Sequence, residues 1–350
     1  MIRSLTSLRF LFILLIVLFH IVGQRFEFGG DCGVSFFLML SGFVLSYAYG
    51  QKVLDGSFRT LSFVRRQLVK FYPLHLLMLV VMVLLDARLG RFYEWYQLLP
   101  SIFLVQSWFP FDRIIRVANA SSWFLCALLF SYVVFAAAFR LLHRVSVPRL
   151  LVWAVVLTAI YGVVVFSVPV QKVNYVVCLS PLMRVIDFCI GVLVFRLCSS
   201  RLGDAVEQRV QAWATWKTTL LELLPVAVVV LSYFVYEAVS PRWRCASLFW
   251  IVLPPLLFVY VKTERQKGLL TAFLHWPAMV WLGGISMEIY LTHWPVMRML
   301  NSLLHSAGMY ERLPFTAIVV LSILVMVAVA YVFHRWFVLP VQLKLSTYVL

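Results

Sequence analysis

Runs of apolar residues, each close to the length of a membrane crossing, recur along this chain and leave little room for anything else. A helix needs roughly 20 apolar residues to span the hydrocarbon core of a bilayer. Windows near that length lie at 5–23, 32–50, 71–85, 122–139, 150–168, 184–198, 219–235, 246–261, 277–300 and 314–337. Of the 350 residues, 63% are apolar, whereas a soluble domain sits nearer one half. Lipid can cover that surplus and a soluble fold of this size cannot. The expectation is an all-α, polytopic integral membrane protein with about ten transmembrane helices. Residues 1–350 then form a single transmembrane domain with only short connections, and no repeat or low-complexity segment interrupts it.

Three connections stand out. The stretch 51–73 carries Lys52, Arg59, Arg65, Arg66 and Lys70. The less apolar stretch 86–121 holds Trp95, Trp108 and several prolines, and its middle, 98–108, is too short to cross; it is expected at the interface or as a re-entrant piece. A polar loop is expected from 199 to 218.

The net charge of +16 would suggest nucleic acid in a soluble protein. In a membrane protein Lys and Arg gather in the short cytoplasmic loops. With ten crossings, the segments on the N-terminal side hold roughly twice as many Lys and Arg as the others. That bias predicts a multi-pass protein of the cell (inner, or plasma) membrane with both termini cytoplasmic, and lipid rather than nucleic acid as its neighbour. The first apolar run is too long for a signal-peptide core and lacks a small-residue cleavage site, so it is expected to be retained. The six cysteines, Cys32, Cys126, Cys178, Cys189, Cys198 and Cys245, form no C-x-x-C pair. They read as buried thiols, with neither a disulfide framework nor a metal site expected.

Ionisable residues inside spans are costly and mark candidate sites. Arg9 and His20 lie eleven residues apart in the first window, close to three helical turns, so they share a face. Their separation along the axis is about 16 Å, with Arg9 near the cytoplasmic end. One such face can hold an anion at one level and do proton chemistry at another. Snorkelling of Arg9 and an interhelical hydrogen bond from His20 are the structural alternative. In the ninth window Ser286, Tyr290 and His293 share a face and Glu288 points elsewhere. These groups either bond between helices or line a watered site. Arg184 and Asp187 are spaced for a local ion pair. Arg65, Arg66 and Lys70 read either as a positive-inside stop or as a phosphate clamp.

Several segments, in order, resemble the integral-membrane acyltransferase family 3, which includes O-antigen and capsule polysaccharide O-acetyltransferases. The opening SLTSLRFLFILLIVLFH resembles its first helix, and Arg9 and His20 match its Arg and His. GVSFFLMLSGFVLS, at 33–46, is similar to the second-helix motif, and FVRRQLVKFYP, at 63–73, to the basic stretch after it. SSWFLCALLFSY at 121–132, PLMRVIDFCIGVLV at 181–194 and LGGISMEIYLTHWPV at 282–296 match later signatures. The resemblance covers nearly the whole chain. There are departures. Ser35 stands where the family usually has Asp. Its Arg-x-x-Arg pair falls on Gln67 and Lys70, leaving Arg65 or Arg66 to compensate. Leu128 and Val338 replace residues that are often acidic, and the soluble C-terminal hydrolase-like domain of some members has no counterpart.

The resemblance implies an enzyme that moves an acyl group, usually acetyl, from cytosolic acyl-coenzyme A to a carbohydrate hydroxyl at or beyond the membrane. Acetyl-CoA is then a co-substrate, with no permanently bound cofactor and no metal. His20 and Arg9 become the catalytic pair, and Arg65, Arg66 and Lys70 bind donor phosphates. Ser41, Trp123, Ser286, Tyr290 and His293 orient substrate. A sugar hydroxyl is a weak nucleophile, which a histidine base can activate; an acyl-imidazole on His20 is the other route. A transporter or flippase of a lipid-linked saccharide is the rival reading, against which the absence of internal repeats counts.

Overall fold

The computed structural model describes residues 2–265 and 267–349. Among the described residues the regular structure is helical throughout, with no strand. All ten apolar windows are helical. The first third holds α1 (Arg3–Val22), α2 (Glu27–Leu54), α3 (Thr60–Arg88) and the short α4 (Trp95–Ile102). Then come α5 (Trp123–His143), α6 (Val147–Ser167), α7 (Pro181–Cys198), α8 (Arg201–Gln211) and α9 (Thr215–Ala238). The last third holds α10 (Leu253–Lys262), α11 (Pro277–Gly284), α12 (Ser286–Ser306), α13 (Phe315–Phe333) and α14 (Leu339–Val349).

Among the described residues, seven helices are long and apolar enough to cross a membrane. An eighth crossing is made if the pieces Val170–Cys178 and Pro181–Cys198, bent by 59°, form one span. The windows at 246–261 and 277–300 are interrupted. The first is broken ahead of α10, which opens on Pro254 and Pro255, residues with no N–H for the preceding turn. The second breaks at Ile285, between α11 and the more polar α12.

Two connections differ from expectation. The basic stretch is mostly helix, and only 55–59 remains as a turn. Phe63, Gln67, Phe71 and Leu74 recur at helical spacing and are buried, which extends α3 back to Thr60 while Arg65, Arg66 and Lys70 stay exposed. In the turn, the carboxylate of Asp55 accepts from the Ser57 hydroxyl at 2.7 Å and its N–H at 2.9 Å. Those bonds hold the Asp55 carboxyl below its usual range. The polar loop after residue 199 likewise contains α8, capped by the Ser200 hydroxyl accepting from the N–H of Gly203.

The described chain divides into two compact units. One comprises the chain up to Phe12, Asp31–Phe58 and Phe130–Gly284. Here Glu264 accepts from the N–H of Arg3 at 2.8 Å and from the Ser4 hydroxyl at 2.5 Å, which anchors the start of α1. Helices α2 and α7 cross closely enough that neither tolerates a side chain at the crossing. A Cβ on Gly42 would run into the carbonyl oxygen of Phe188, and one on Gly191 into that of Met39. Gly191→Ala is therefore expected to force the helices apart and cost about 1–3 kcal/mol. A lower thermal midpoint in detergent checks this, and an unchanged midpoint would refute so close a crossing.

The expected Arg184–Asp187 pair lies in the same unit and is fully buried, with the two residues 1% and 0% exposed. Arg184 Nη1 donates to Asp187 Oδ2 at 3.1 Å and to Ser35 Oγ at 3.0 Å, while Nε donates to the carbonyl of Cys178 at 2.5 Å. The expectation of no disulfide is corrected in part. Cys178 and Cys245 are bonded, with their Cα atoms 5.8 Å apart, and Cys32, Cys126, Cys189 and Cys198 are free. The pairing joins residues 67 apart, a spacing that carries no local signal.

The other unit comprises Ile13–Gly30, Arg59–Leu129 and the chain from Ile285. Asp86, 0% exposed at the end of α3, pairs with Arg298 Nη2 of α12 at 2.7 Å and accepts from the Tyr93 hydroxyl at 2.5 Å. Burial, reinforced by that bond, pushes the Tyr93 phenol up to about 12. Residues 98–108 form the end of α4 and a single turn at Gln106–Trp108. They are fastened to α3 by His75, 2.9 Å from the Ser101 carbonyl, and by the Tyr72 hydroxyl donating to the Ile102 carbonyl at 2.8 Å.

Candidate active site

Helix α1 ends just beyond His20, where Gly23 takes a φ of +74° that favours glycine. The His20 imidazole is half-buried and sits among rings of its own unit. The His293 ring lies 5.0 Å away and the Trp294 indole 5.2 Å away at a steep 77°. Phe19 completes the surround at 4.7 Å.

His293 is wholly buried, and its Nδ1 lies 2.5 Å from the carbonyl oxygen of Tyr290. A carbonyl only accepts, so Nδ1 carries the proton and Nε2 presents a lone pair. That Nε2 is buried without a hydrogen-bond partner, and so is the indole Nε1 of Trp294. Two adjacent residues thus present one unmet acceptor and one unmet donor beside His20. Buried polar atoms are nearly always bonded, so such exceptions point to a ligand or an active group.

The remaining groups of α12 are fixed. The Tyr290 hydroxyl donates to the Ser121 carbonyl, and its ring packs edge-on to Phe124 at 5.4 Å. Phe124 also meets the Trp123 ring at 6.3 Å, and the Trp123 carbonyl accepts from the Ser107 hydroxyl at 3.1 Å. Ser286 is buried one turn before Tyr290. Glu288 faces away from this set, as its spacing requires, and lies 2.7 Å from Nδ1 of His334. Trp294 rests on a cluster of Leu79, Met82 and Ala118. Ala118 has a φ of 51°, a left-handed conformation that non-glycine residues rarely adopt.

The other candidates sit elsewhere. Arg9 is half-buried in the earlier part of α1, and Ser41 lies in α2 with its hydroxyl donating to the Phe37 carbonyl at 2.8 Å. Both belong to the first unit. Arg65, Arg66 and Lys70 line the opening turns of α3, where Lys70 Nζ donates to Gln67 Oε1 at 3.1 Å.

Comparison with known proteins decides the chemistry. Residues 2–335 match the family described as an acyltransferase domain. The chain belongs to that family. It is 30% identical to "Acyltransferase MdmB" of Streptomyces mycarofaciens over 359 residues, which cover 94% of this chain and 87% of that protein. No solved structure matches.

The chain is thus an acyltransferase and, with its long apolar helices, a multi-pass membrane protein. Within this acyltransferase, the three-ring cluster joins two residues that spacing alone put on separate helices. Sequence reasoning passed over Trp294, Asp86 and Arg298. Trp294 and Arg298 are four apart on α12, so the Asp86–Arg298 pair fixes the helix one turn beyond the indole. A charged Arg298 in an apolar window was the available signal.

Proposed function

We propose that this acyltransferase moves an acyl group, acetyl in the simplest case, from cytosolic acyl-coenzyme A to a hydroxyl of a cell-surface or lipid-linked carbohydrate. The enzyme sits in the cell (plasma) membrane with both termini in the cytoplasm. His20 acts as general base. The observation that carries this reading is the His20 imidazole, half-open and set between unmet polar nitrogens of His293 and Trp294, in a chain of this family.

A neutral imidazole takes the hydroxyl proton as the oxygen attacks the thioester carbon, then returns it to the departing thiolate. Arg9 favours the anionic donor from earlier on the same helix, and Arg65, Arg66 and Lys70 supply further charge for the coenzyme phosphates. His293 Nε2, held as an acceptor, orients the sugar through a neighbouring hydroxyl. Trp123, Ser286 and Tyr290 shape the substrate path.

Mass analysis of surface glycans from cells with and without the gene tests the reading. Loss of an acetyl substituent on otherwise intact chains is expected. Disappearance of whole chains would instead fit a transporter of the lipid-linked saccharide, and unchanged glycans would remove carbohydrate as the acceptor.

A further inference from the structure

The Trp294 indole has an unexplained N–H. Indole Nε1 is a donor only and cannot be satisfied by another donor. It is buried without a partner, although the residue as a whole is half-buried. Leu79, Met82 and Ala118 support it, and the His20 imidazole lies against it at 5.2 Å. What completes this N–H must therefore be an acceptor that arrives beside His20. In acyl transfer the atom that gains negative charge beside the base is the carbonyl oxygen of the donor.

We infer that Trp294 Nε1–H is the oxyanion donor of this acyltransferase, hydrogen-bonding the thioester carbonyl oxygen as charge develops on it. The inference rests on the proposed general-base role of His20 and adds a residue to that site. The electron pair of the acceptor hydroxyl oxygen forms the new C–O bond, and the hydroxyl proton passes to His20. The carbonyl π pair moves onto oxygen, where the indole N–H meets it. On collapse the C=O re-forms, the C–S bond breaks, and the coenzyme thiolate takes the proton back from His20. The neighbouring His293 Nε2 is an acceptor and cannot serve the oxyanion, so the two unmet nitrogens divide the work: one meets a second hydroxyl of the acceptor, the other the carbonyl. The Asp86–Arg298 pair, one turn along α12, keeps the indole in register.

The test uses membranes of the deletion strain carrying each variant, which retain the native acceptor, with radiolabelled acetyl-CoA as the donor. Trp294→Phe keeps an aromatic ring on the Leu79, Met82 and Ala118 cluster and removes only the N–H. Its turnover is expected to fall about 10²–10³-fold with little change in KM for acetyl-CoA. Trp294→His is smaller and packs less well but restores an N–H, so it is expected to recover part of that loss. Wild-type turnover in Trp294→Phe overturns the inference. A loss in the His variant equal to or greater than that in the Phe variant, which a packing role alone would give, overturns it as well. His20→Ala run alongside separates the two readings. An inactive His20→Ala with an active Trp294→Phe defeats this inference only, while an active His20→Ala defeats the base assignment itself.

Discussion

His20→Ala is expected to fold, insert and bind donor normally, yet to transfer acyl groups about 10²–10⁴-fold more slowly, the usual contribution of a positioned base. The side chain lies near the end of α1, half-open, and makes ring contacts rather than a hydrogen bond that holds the fold together. Truncation therefore leaves the helix intact. His293→Ala is expected to behave differently. Its Nδ1 is tied to the Tyr290 carbonyl and its ring is fully buried, so removal costs packing and weakens substrate orientation before it touches proton transfer. The measurement is single-turnover acyl transfer by purified protein, with donor affinity recorded separately. A His20→Ala enzyme with near wild-type turnover would move the base elsewhere, and His293 would be the next group to examine.

A second large effect is expected far from the reacting atoms. Asp187→Ala removes the hydrogen-bonded carboxylate of the Arg184 guanidinium in a site where it is 1% exposed, leaving the neutral acceptors at Ser35 and Cys178 and the charge of Asp31 as its support. Breaking one side of a buried pair typically costs about 3–5 kcal/mol, because the other charge stays desolvated. The variant should express poorly and unfold at a markedly lower temperature in mild detergent. Replacing both partners together, as Arg184→Met with Asp187→Leu, removes the buried guanidinium as well and should recover much of that loss. If the single and double variants are equally unstable, the pair matters for its shape and not for its charge.

The transmembrane windows were legible because crossing length is a one-dimensional property of the sequence. The early start of α3 was not, since Arg65, Arg66 and Lys70 lower the apolarity of a stretch whose buried stripe shows only in its periodicity. Arg184 and Asp187 could be paired from their spacing, yet their third partner, Ser35, lies 149 residues away and needed the fold. The same contact gives a physical setting to the Ser35 departure: its hydroxyl meets the guanidinium, while Asp187 carries the countercharge. In the site, the shared face of Ser286, Tyr290 and His293 was readable from helical geometry. That His20 meets His293 and Trp294 was not, because the significance of Trp294 lies in an unmet N–H, which only packing can reveal.

The bond between Cys178 and Cys245 bears on orientation as well as on stability. Cystines persist where glutathione and thioredoxin do not reach. If the N-terminus is cytoplasmic, as proposed, and α1, α2, α3, α5 and α6 each cross, the chain has made an odd number of passes when it enters the bent pair Val170–Cys178 and Pro181–Cys198. With that bent pair as one crossing back and α9 as the next crossing out, Cys245 comes to the outer face, bonded to Cys178 at the break of the pair. Oxidative chemistry and the positive-inside bias, two unrelated lines of physics, thus both support the proposed sidedness. The sulfur pair becomes a compass for the molecule: a membrane-impermeant reductant added to intact spheroplasts should open it, while the reducing cytosol should leave it closed.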